Sequence, residues 1–290
     1  MTYHADRFKD YSLMVFNGKK LVAILPANID GNIVHSHQGL TYGGLILAPK
    51  VRFQSVALAF KAILIYLKTN GVEYLHIKQL PAMYCSQPSE ELDYLLFMVE
   101  AELTRVDLSS TIYDLNIAKI SSSGRKDGYR KGKNHNLQIR ETTDLSAFWN
   151  QILVPHLEVT HAVKPTHSLE EMQRLQELFP NQIRQFDVYY NEEIVGGTTL
   201  FITPNVVHTQ YIAANENRQK LGTLDYLFFY LIQEKFKHAK YFDFGISNTN
   251  QGKDLNNGLL YWKESLGGKA QVHRFFKVKT NSHPLIDRIL

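Results

Sequence analysis

Apolar positions change their spacing several times along the chain, and the changes repeat. Within Leu13–Gln38, short strands rich in branched and aromatic residues flank Asn17-Gly18, a two-residue hairpin signal. A short turn and a third strand follow, which takes in His35-Ser-His37. Ser55–Lys68 then places apolar residues at helical spacing, and Tyr74-Leu-His-Ile77 reads as another strand. The same series recurs from Phe186. At a constant offset of 173, Leu21-Val22 falls on Ile194-Val195, and Asn32–Ser36 falls on Asn205–Thr209. Further on the offset is 167, and Tyr74–Ile77 meets Tyr241–Phe244 behind a second helical stretch, Leu221–Phe236. Asn191-Glu192 is the counterpart of the first hairpin turn. In each copy the helix returns to a strand, which implies a crossover and parallel pairing at that point. Mixed sheets of an α/β protein are therefore expected in both halves.

The second copy carries a lead-in. Leu137–Glu141 reads as a strand, and Thr143–Leu157 reads as a helix with Thr143 or Asp144 as its cap. Ser168 with Glu171 forms a capping box opening another helix. The order is then β-α-α-β-β-β-α-β, followed by a helix and a strand over Ala270–Val278. The first half starts almost directly at its hairpin. The division is expected near Ser121–Asn136, a Gly-, Ser- and Lys-rich stretch with partly helical character, giving domains 1–123 and 124–290.

Composition narrows the class without changing this picture. The 290 residues are 44% apolar and 21% charged, as in an ordinary globular protein long enough for two domains. One cysteine, Cys85, excludes disulfide scaffolds and Cys-based zinc sites within the chain. The first residues are too polar for a signal peptide, and the longest apolar run, Val56–Leu67, is only twelve residues long and contains Lys61. A soluble, cytoplasmic protein without stable membrane insertion is expected. Arg125–Lys133 holds five cations against Asp127, which equals the whole net charge of +4. The basic character is local and points to one anionic contact rather than a nucleic-acid coat.

The element order resembles the GNAT acyltransferase fold, and two tandem copies resemble the FemABX-like transferases. Ser36–Gly44 (SHQGLTYGG), Tyr241–Gly245 (YFDFG) and Asn257–Gly268 (NGLLYWKESLGG) are similar to segments of bacterial FemAB-like, GNAT-annotated proteins. The resemblance covers nearly the whole chain. It implies two tandem GNAT-like domains, the first degenerate and short before Tyr3, the second binding the donor and performing transfer. It also implies an acyl-CoA or aminoacyl-tRNA donor, hence tRNA as a partner. The acceptor would be an amine or hydroxyl on a small molecule or cell-envelope precursor.

Free amides and the dipole at a helix N-terminus favour anions. The resemblance places the donor phosphates at Arg218, Gln219, Gly222 and Thr223, where Gln219–Leu224 matches the family loop in part, with Leu224 at its last small-residue position. It also implies Lys263 as an oxyanion- or phosphate-stabilising residue and Tyr261 as the acid that protonates a leaving thiolate. Asp243 alternates with Phe242 and Phe244, so it faces away from them and is a candidate to accept or orient a proton. His208 and Tyr211, three apart on the preceding strand, are expected on opposite faces, with one lining the cleft.

The basic run offers Arg125, Arg130 and Lys131 for a phosphorylated substrate, with Tyr129 to stack on a base or sugar. Tyr42 and the His37 region are candidates for an acceptor groove. His35 and His37, at period two, are expected on one face. With no third ligand, no metal is expected. HExxH, P-loop and GxSxG patterns are absent. Two competing readings are a non-catalytic module that binds a nucleotide-linked or nucleic-acid ligand through Arg125–Lys133, and a structural protein with a dead cleft.

Overall fold

The computed structural model describes residues 5–116, 118–161 and 163–290, so Tyr3 lies outside the described residues. The chain packs as two units, Met1–Asp107 with Asn250–Lys253 and Val272–Leu290, and Leu108–Thr249 with Asp254–Gln271.

The first unit contains β1 (Lys9–Asp10), β2 (Leu13–Asn17), β3 (Lys20–Leu25), β4 (Asn28–Asp30), β5 (Ile33–His35), β6 (Ile46–Leu47), α1 (Phe53–Thr69), β7 (Tyr74–Lys78) and α2 (Glu91–Met98). Asn17 pairs with Lys20, so the hairpin tip is Gly18-Lys19, one residue beyond the Asn-Gly expectation, with Gly18 at φ +59°. β2, β3 and β6 form a small sheet, and β1, β4, β5 and β7 lie in that order in another. The expected parallel pair is β5 with β7, in the register Ile33↔Tyr74, Val34↔Leu75, His35↔His76. α1 covers these strands because Val56, Phe60, Ile63, Leu64 and Leu67 recur on one side, where they pack with Leu25, Val34 and Leu75. Each such buried side chain is worth roughly 2 kcal/mol of transfer free energy.

The second unit begins within β8 (Glu102–Tyr113) and continues through α3 (Ser123–Asn134), β9 (Gln138–Thr142), α4 (146–161), α5 (Leu169–Leu178), β10 (Ile183–Tyr190), β11 (Glu193–Ile202), β12 (Val206–Ala214), α6 (Arg218–Leu221), α7 (Thr223–Tyr230), β13 (Tyr241–Ile246) and α8 (Asn257–Ser265). From β9 to β13 this is the order expected from the sequence. Asp144 accepts the Ser146 N–H at the start of α4, and the Ser168–Glu171 capping box is present. α4 has a π-helical turn over Trp149–Leu153. The sheet order is β8-β13-β12-β11-β10-β9, and its parallel pair is β12 with β13, in the register Val206↔Tyr241, Val207↔Phe242, His208↔Asp243. These three pairs are the counterparts, at offsets 173 and 167, of the three in the first unit. One face of the sheet carries a core of Phe186, Leu200, Val207, Phe228 and Phe242. The other packs Ile183, Ile194 and Phe201 against α4 and α5.

β14 (Lys269–Lys279) leaves the second unit and, from Val272, belongs to the first, where Phe275–Lys279 pair antiparallel with Lys78–Tyr74. The division therefore differs from 1–123 and 124–290. The last strand completes the sheet beside β7, and Leu108–Ser123 pack with the later residues. The Ser121–Asn136 stretch, expected to be partly helical, is helix α3 over almost its whole length, capped by Ser122. None of the described helices is long and apolar enough to cross a membrane.

Candidate active site

β12 and β13 pair at only three positions, although β12 runs on to Ala214. Beyond His208 that edge of β12 has no strand partner among the described residues, because β13 turns toward β8. The backbone groups on the open edge are then available to a ligand. Ile212, Ala213 and Ala214 from this free stretch line a cavity of about 880 Å³. The remaining wall includes Arg125, Gly128 and Lys131 of α3, His156 of α4, Arg218 and Gln219 of α6, Gly222, Leu224 and Asp225 at the start of α7, and Gly258, Leu259 and Trp262 of α8. Thus Arg125, Lys131, Arg218, Gln219 and Gly222, chosen from sequence, line one cavity. Thr223 stands beside it, fully buried, with a hydroxyl that has no hydrogen-bond partner.

The anion site expected at this helix start holds one of the chain's own carboxylates. Asp225 is the third residue of α7, and its Oδ1 accepts from Arg125 Nη1 at 2.7 Å. Burial raises the Asp225 pKa, opposed by Arg125 and the Trp262 side chain. α3 crosses closely because Gly128 and Gly132 present no side chain. A Cβ on Gly128 would lie 1.8 Å from Asp225 Oδ2, and one on Gly132 would lie 2.5 Å from Tyr226 Cβ. Gly222 is left-handed (φ +71°), and a Cβ there would meet the Gly128 carbonyl at 2.0 Å. Tyr129 stacks on Phe229 and Tyr226 with centroids 4.6 and 5.6 Å away, so its ring belongs to the helix packing rather than to a base or sugar. Lys131 reaches the Gln219 carbonyl. Arg130 is exposed, pairs with Asp127 and does not line the cavity.

At the fork, Asp243 is fully buried. Its Oδ1 accepts from Ser109 Oγ (2.7 Å), Thr111 Oγ1 (2.9 Å) and Gly245 N (3.3 Å), and its Oδ2 meets His208 Nδ1 at 2.8 Å. With Nδ1–H donated to the carboxylate, the neutral tautomer of His208 carries its lone pair on Nε2, the atom that takes a proton in a histidine–carboxylate pair. Among the described residues the His208 ring makes no other hydrogen bond, and neither His208 nor Asp243 is part of the cavity wall itself.

Lys263 is buried, and its Nζ donates to the Gly245 and Ile246 carbonyls at 2.8 and 2.7 Å. Burial lowers its pKa to about 8, against the opposing charge of Asp243. It holds the end of β13 and does not line the cavity; its neighbour Trp262 does. Tyr261 is 67% exposed and also lies off the cavity wall.

His208 and Tyr211 are on one face, not two. His208 pairs with Phe201 and Tyr211 with Thr199, two apart on β11, because a bulge absorbs one residue of β12. Tyr211 packs edge-on to Trp149, and its hydroxyl lies 2.7 Å from His167 Nδ1. Tyr42 and His37 are in the first unit. Tyr42 stacks near Tyr84 at 4.4 Å, and His37 is buried, edge-on to Phe8, with its Nδ1 accepting from Gly39 N. β5 ends at His35, and His37 has φ +84°, so the period-two pairing of His35 and His37 does not exist. His35 instead meets His76.

The first unit has no equivalent fork. Ser36 N donates to the His76 carbonyl (2.8 Å), Lys78 N to Ser36 Oγ (2.8 Å) and Gly43 N to the Lys78 carbonyl (2.6 Å), which stitches the strand edges together past His35. The sequence reading named His208 and Asp243 separately and missed that they pair, although the repeat carried the signal. Each is the third residue of its strand, and parallel strands starting level bring third residues side by side. Asp225 was not legible, because nothing in its local sequence distinguishes it from an ordinary first-turn acid.

No family model matches the sequence, and no curated protein matches it. Solved structures do. FemX superposes with a TM-score of 0.65 at 10% identity, over 99% of this chain and 92% of its own. L-PGS from Bacillus licheniformis gives 0.61 at 15%, over 96% and 88%. A tandem GNAT protein from the clavulanic acid biosynthesis pathway gives 0.50 at 10%, over 97% and 87%. At such identities the likeness is one of fold. The chain has the α/β fold of tandem GNAT-like and FemX-type proteins.

Proposed function

We propose that the protein transfers an acyl or aminoacyl group from an activated ester or thioester to an amine or hydroxyl acceptor, and that the second unit does the chemistry. The observation that carries this reading is the parting of β12 and β13 beside the His208–Asp243 pair, with a cavity lined by the free end of β12. The acceptor's nucleophilic atom attacks the donor carbonyl carbon and gives its proton to His208 Nε2. Free β12 amides are suited to the developing oxyanion. Collapse breaks the bond to the leaving oxygen or sulfur, which takes the proton back from His208. Asp243 holds the imidazole tautomer, and Lys263 acts as a positioning residue that fixes the end of β13 and balances the buried carboxylate. Arg125, Lys131, Arg218 and Gln219 hold the donor's phosphate groups, with Gly222 and Thr223 shaping the loop. The first unit, whose strand edges are stitched, serves the acceptor.

The Asp225 carboxylate favours one donor class. A diphosphate at the start of α7 would face that charge, as acyl-CoA requires. An aminoacyl-tRNA presents a ribose ester beside a single phosphodiester and meets less repulsion, so charged tRNA is the preferred donor. The acceptor class is a small molecule or cell-envelope precursor amine. The test is single-turnover transfer from charged tRNA and from acyl-CoA donors to a panel of amine acceptors. Transfer from charged tRNA is expected, with His208→Ala lowering the rate about 10²- to 10⁴-fold. Full activity of that variant refutes the role of His208. Salt-sensitive binding without transfer would instead favour the non-catalytic module built on Arg125 and Lys131.

A further inference from the structure

The β2-β3-β6 sheet has one face on the core and one in solvent, and both are apolar. Leu13, Val15 and Leu47 pack inward. The opposite face follows from the register. Met14 pairs with Ile24, Ile24 with Ile46, and Phe16 with Leu21. A bulge between Val15 and Phe16 keeps this last pair on the outer side with Met14. Met14 is 68% exposed, Phe16 52%, Ile46 40% and Leu21 38%. Antiparallel sheets with a solvated face ordinarily carry polar residues there. A contiguous apolar face of this kind marks an interaction surface.

The surrounding charge names the occupant. Between Tyr11 and Gln54 the cations are Lys19, Lys20, Lys50 and Arg52, and the only acid is Asp30. Lys19 is in the hairpin tip and Lys20 beside it. Ala48 N bonds the Val22 carbonyl, and continuing that register carries Lys50 to the same end of the sheet. All four cations are exposed, and none has an ion-pair partner among the described residues. A second copy seated on this face would bury the apolar residues but bring uncompensated cations together at its rim. A neutral protein surface would leave them unanswered. An anionic lipid surface answers both features: acyl chains meet Met14, Phe16, Leu21 and Ile46, and headgroups meet the lysines, whose long stems let their charges reach outward.

We propose that the outer face of the β2-β3-β6 sheet, with Lys19, Lys20 and Lys50 at its end, docks the protein reversibly on anionic lipid surfaces. The proposal does not depend on the transfer reaction. The experiment is co-sedimentation of the full chain with vesicles of phosphatidylglycerol and phosphatidylcholine, against pure phosphatidylcholine, over a range of salt. Binding to the anionic vesicles is expected, weakening with salt and absent with phosphatidylcholine alone. Phe16→Ser should abolish it, and Lys19→Glu/Lys20→Glu should weaken it by more than about fivefold per cation changed. Phe16 lies outside the core, and circular dichroism of each variant verifies folding. Arg130→Glu, on the other basic segment, should leave partition unchanged. Failure of the wild type to bind, binding unaltered by Phe16→Ser, or binding lost only in Arg130→Glu overturns the proposal. So does concentration-dependent self-association that Phe16→Ser abolishes, which would make this face an interface between copies.

Discussion

Two alanine substitutions on α3 should have opposite signs. Gly128→Ala puts a methyl 1.8 Å from Asp225 Oδ2 and 2.6–2.7 Å from its Cγ and Cβ, so either the carboxylate leaves Arg125 or the helices separate by about 1 Å. Overpacking of this kind costs about 1–3 kcal/mol, and alanine's better helix propensity returns about 1 kcal/mol. Displacing a partly buried ion pair adds to the cost, so a net loss of about 1–2 kcal/mol is expected. Gly124→Ala sits on the same helix, but its nearest neighbour is Ser122 Oγ at 3.9 Å. That variant should gain about 0.5–1 kcal/mol. Urea unfolding of both proteins measures the difference, and thermal melts should separate them by several degrees, about 2–4 °C per kcal/mol in a domain of this size. If Gly128→Ala were as stabilising as Gly124→Ala, α3 could not lie against the start of α7 as described. The cavity wall and the Asp225 argument on donor choice would fall with it.

Two buried charges give pH-dependent predictions. Burial pushes the Asp187 carboxyl up to about 6, with Gln185 donating to Oδ1 and no partner on Oδ2. The unfolded chain releases this proton first, so the group destabilises the fold progressively from about pH 4 to 6 and fully above that, by about 3 kcal/mol. Asp187→Asn should therefore be more stable than wild type at pH 7.5, with the gap closing by pH 4 in urea titrations. A constant gap would refute the linkage. Lys263, at about 8 in the fold, loses its proton before the unfolded chain does. Wild-type stability should gain about 3 kcal/mol from this group between about pH 8 and 10.5, a rise that Lys263→Met should lack when the two unfolding profiles are subtracted.

The division between what was legible and what was not follows the range of the interactions. Alternation, helical spacing and the cap at Ser168 are local, and each appears where the residues place it. The doubled element order also implied the parallel β5–β7 and β12–β13 pairs, and their equal register was enough to bring His208 beside Asp243. The choice of Arg218, Gln219 and Gly222 came from a resemblance plus the physics of helix N-termini, and these residues do line the cavity. The choice between helix and linker for Arg125–Lys133 stayed open for a different reason. Gly124, Gly128 and Gly132 recur every four residues, which is one helix face, but their composition alone resembles flexible chain. What Gly128 and Gly132 accommodate is another helix nearly a hundred residues later.

Local pattern therefore determined the hairpins, the crossover helices and the element order from β9 to β13, because backbone hydrogen bonding and apolar spacing act over a few residues, while α2 and the long strand β8 went unread. Tertiary structure alone decided which side chains the site receives. A single bulge in β12 put Tyr211 on the face of His208. Burial and two carbonyls turned Lys263 away from the cavity. Close helix packing set Asp225 where a donor phosphate was expected. These outcomes depend on ångström-scale fit between segments remote in sequence, and close-packed interiors settle such fits only once every neighbour is in place.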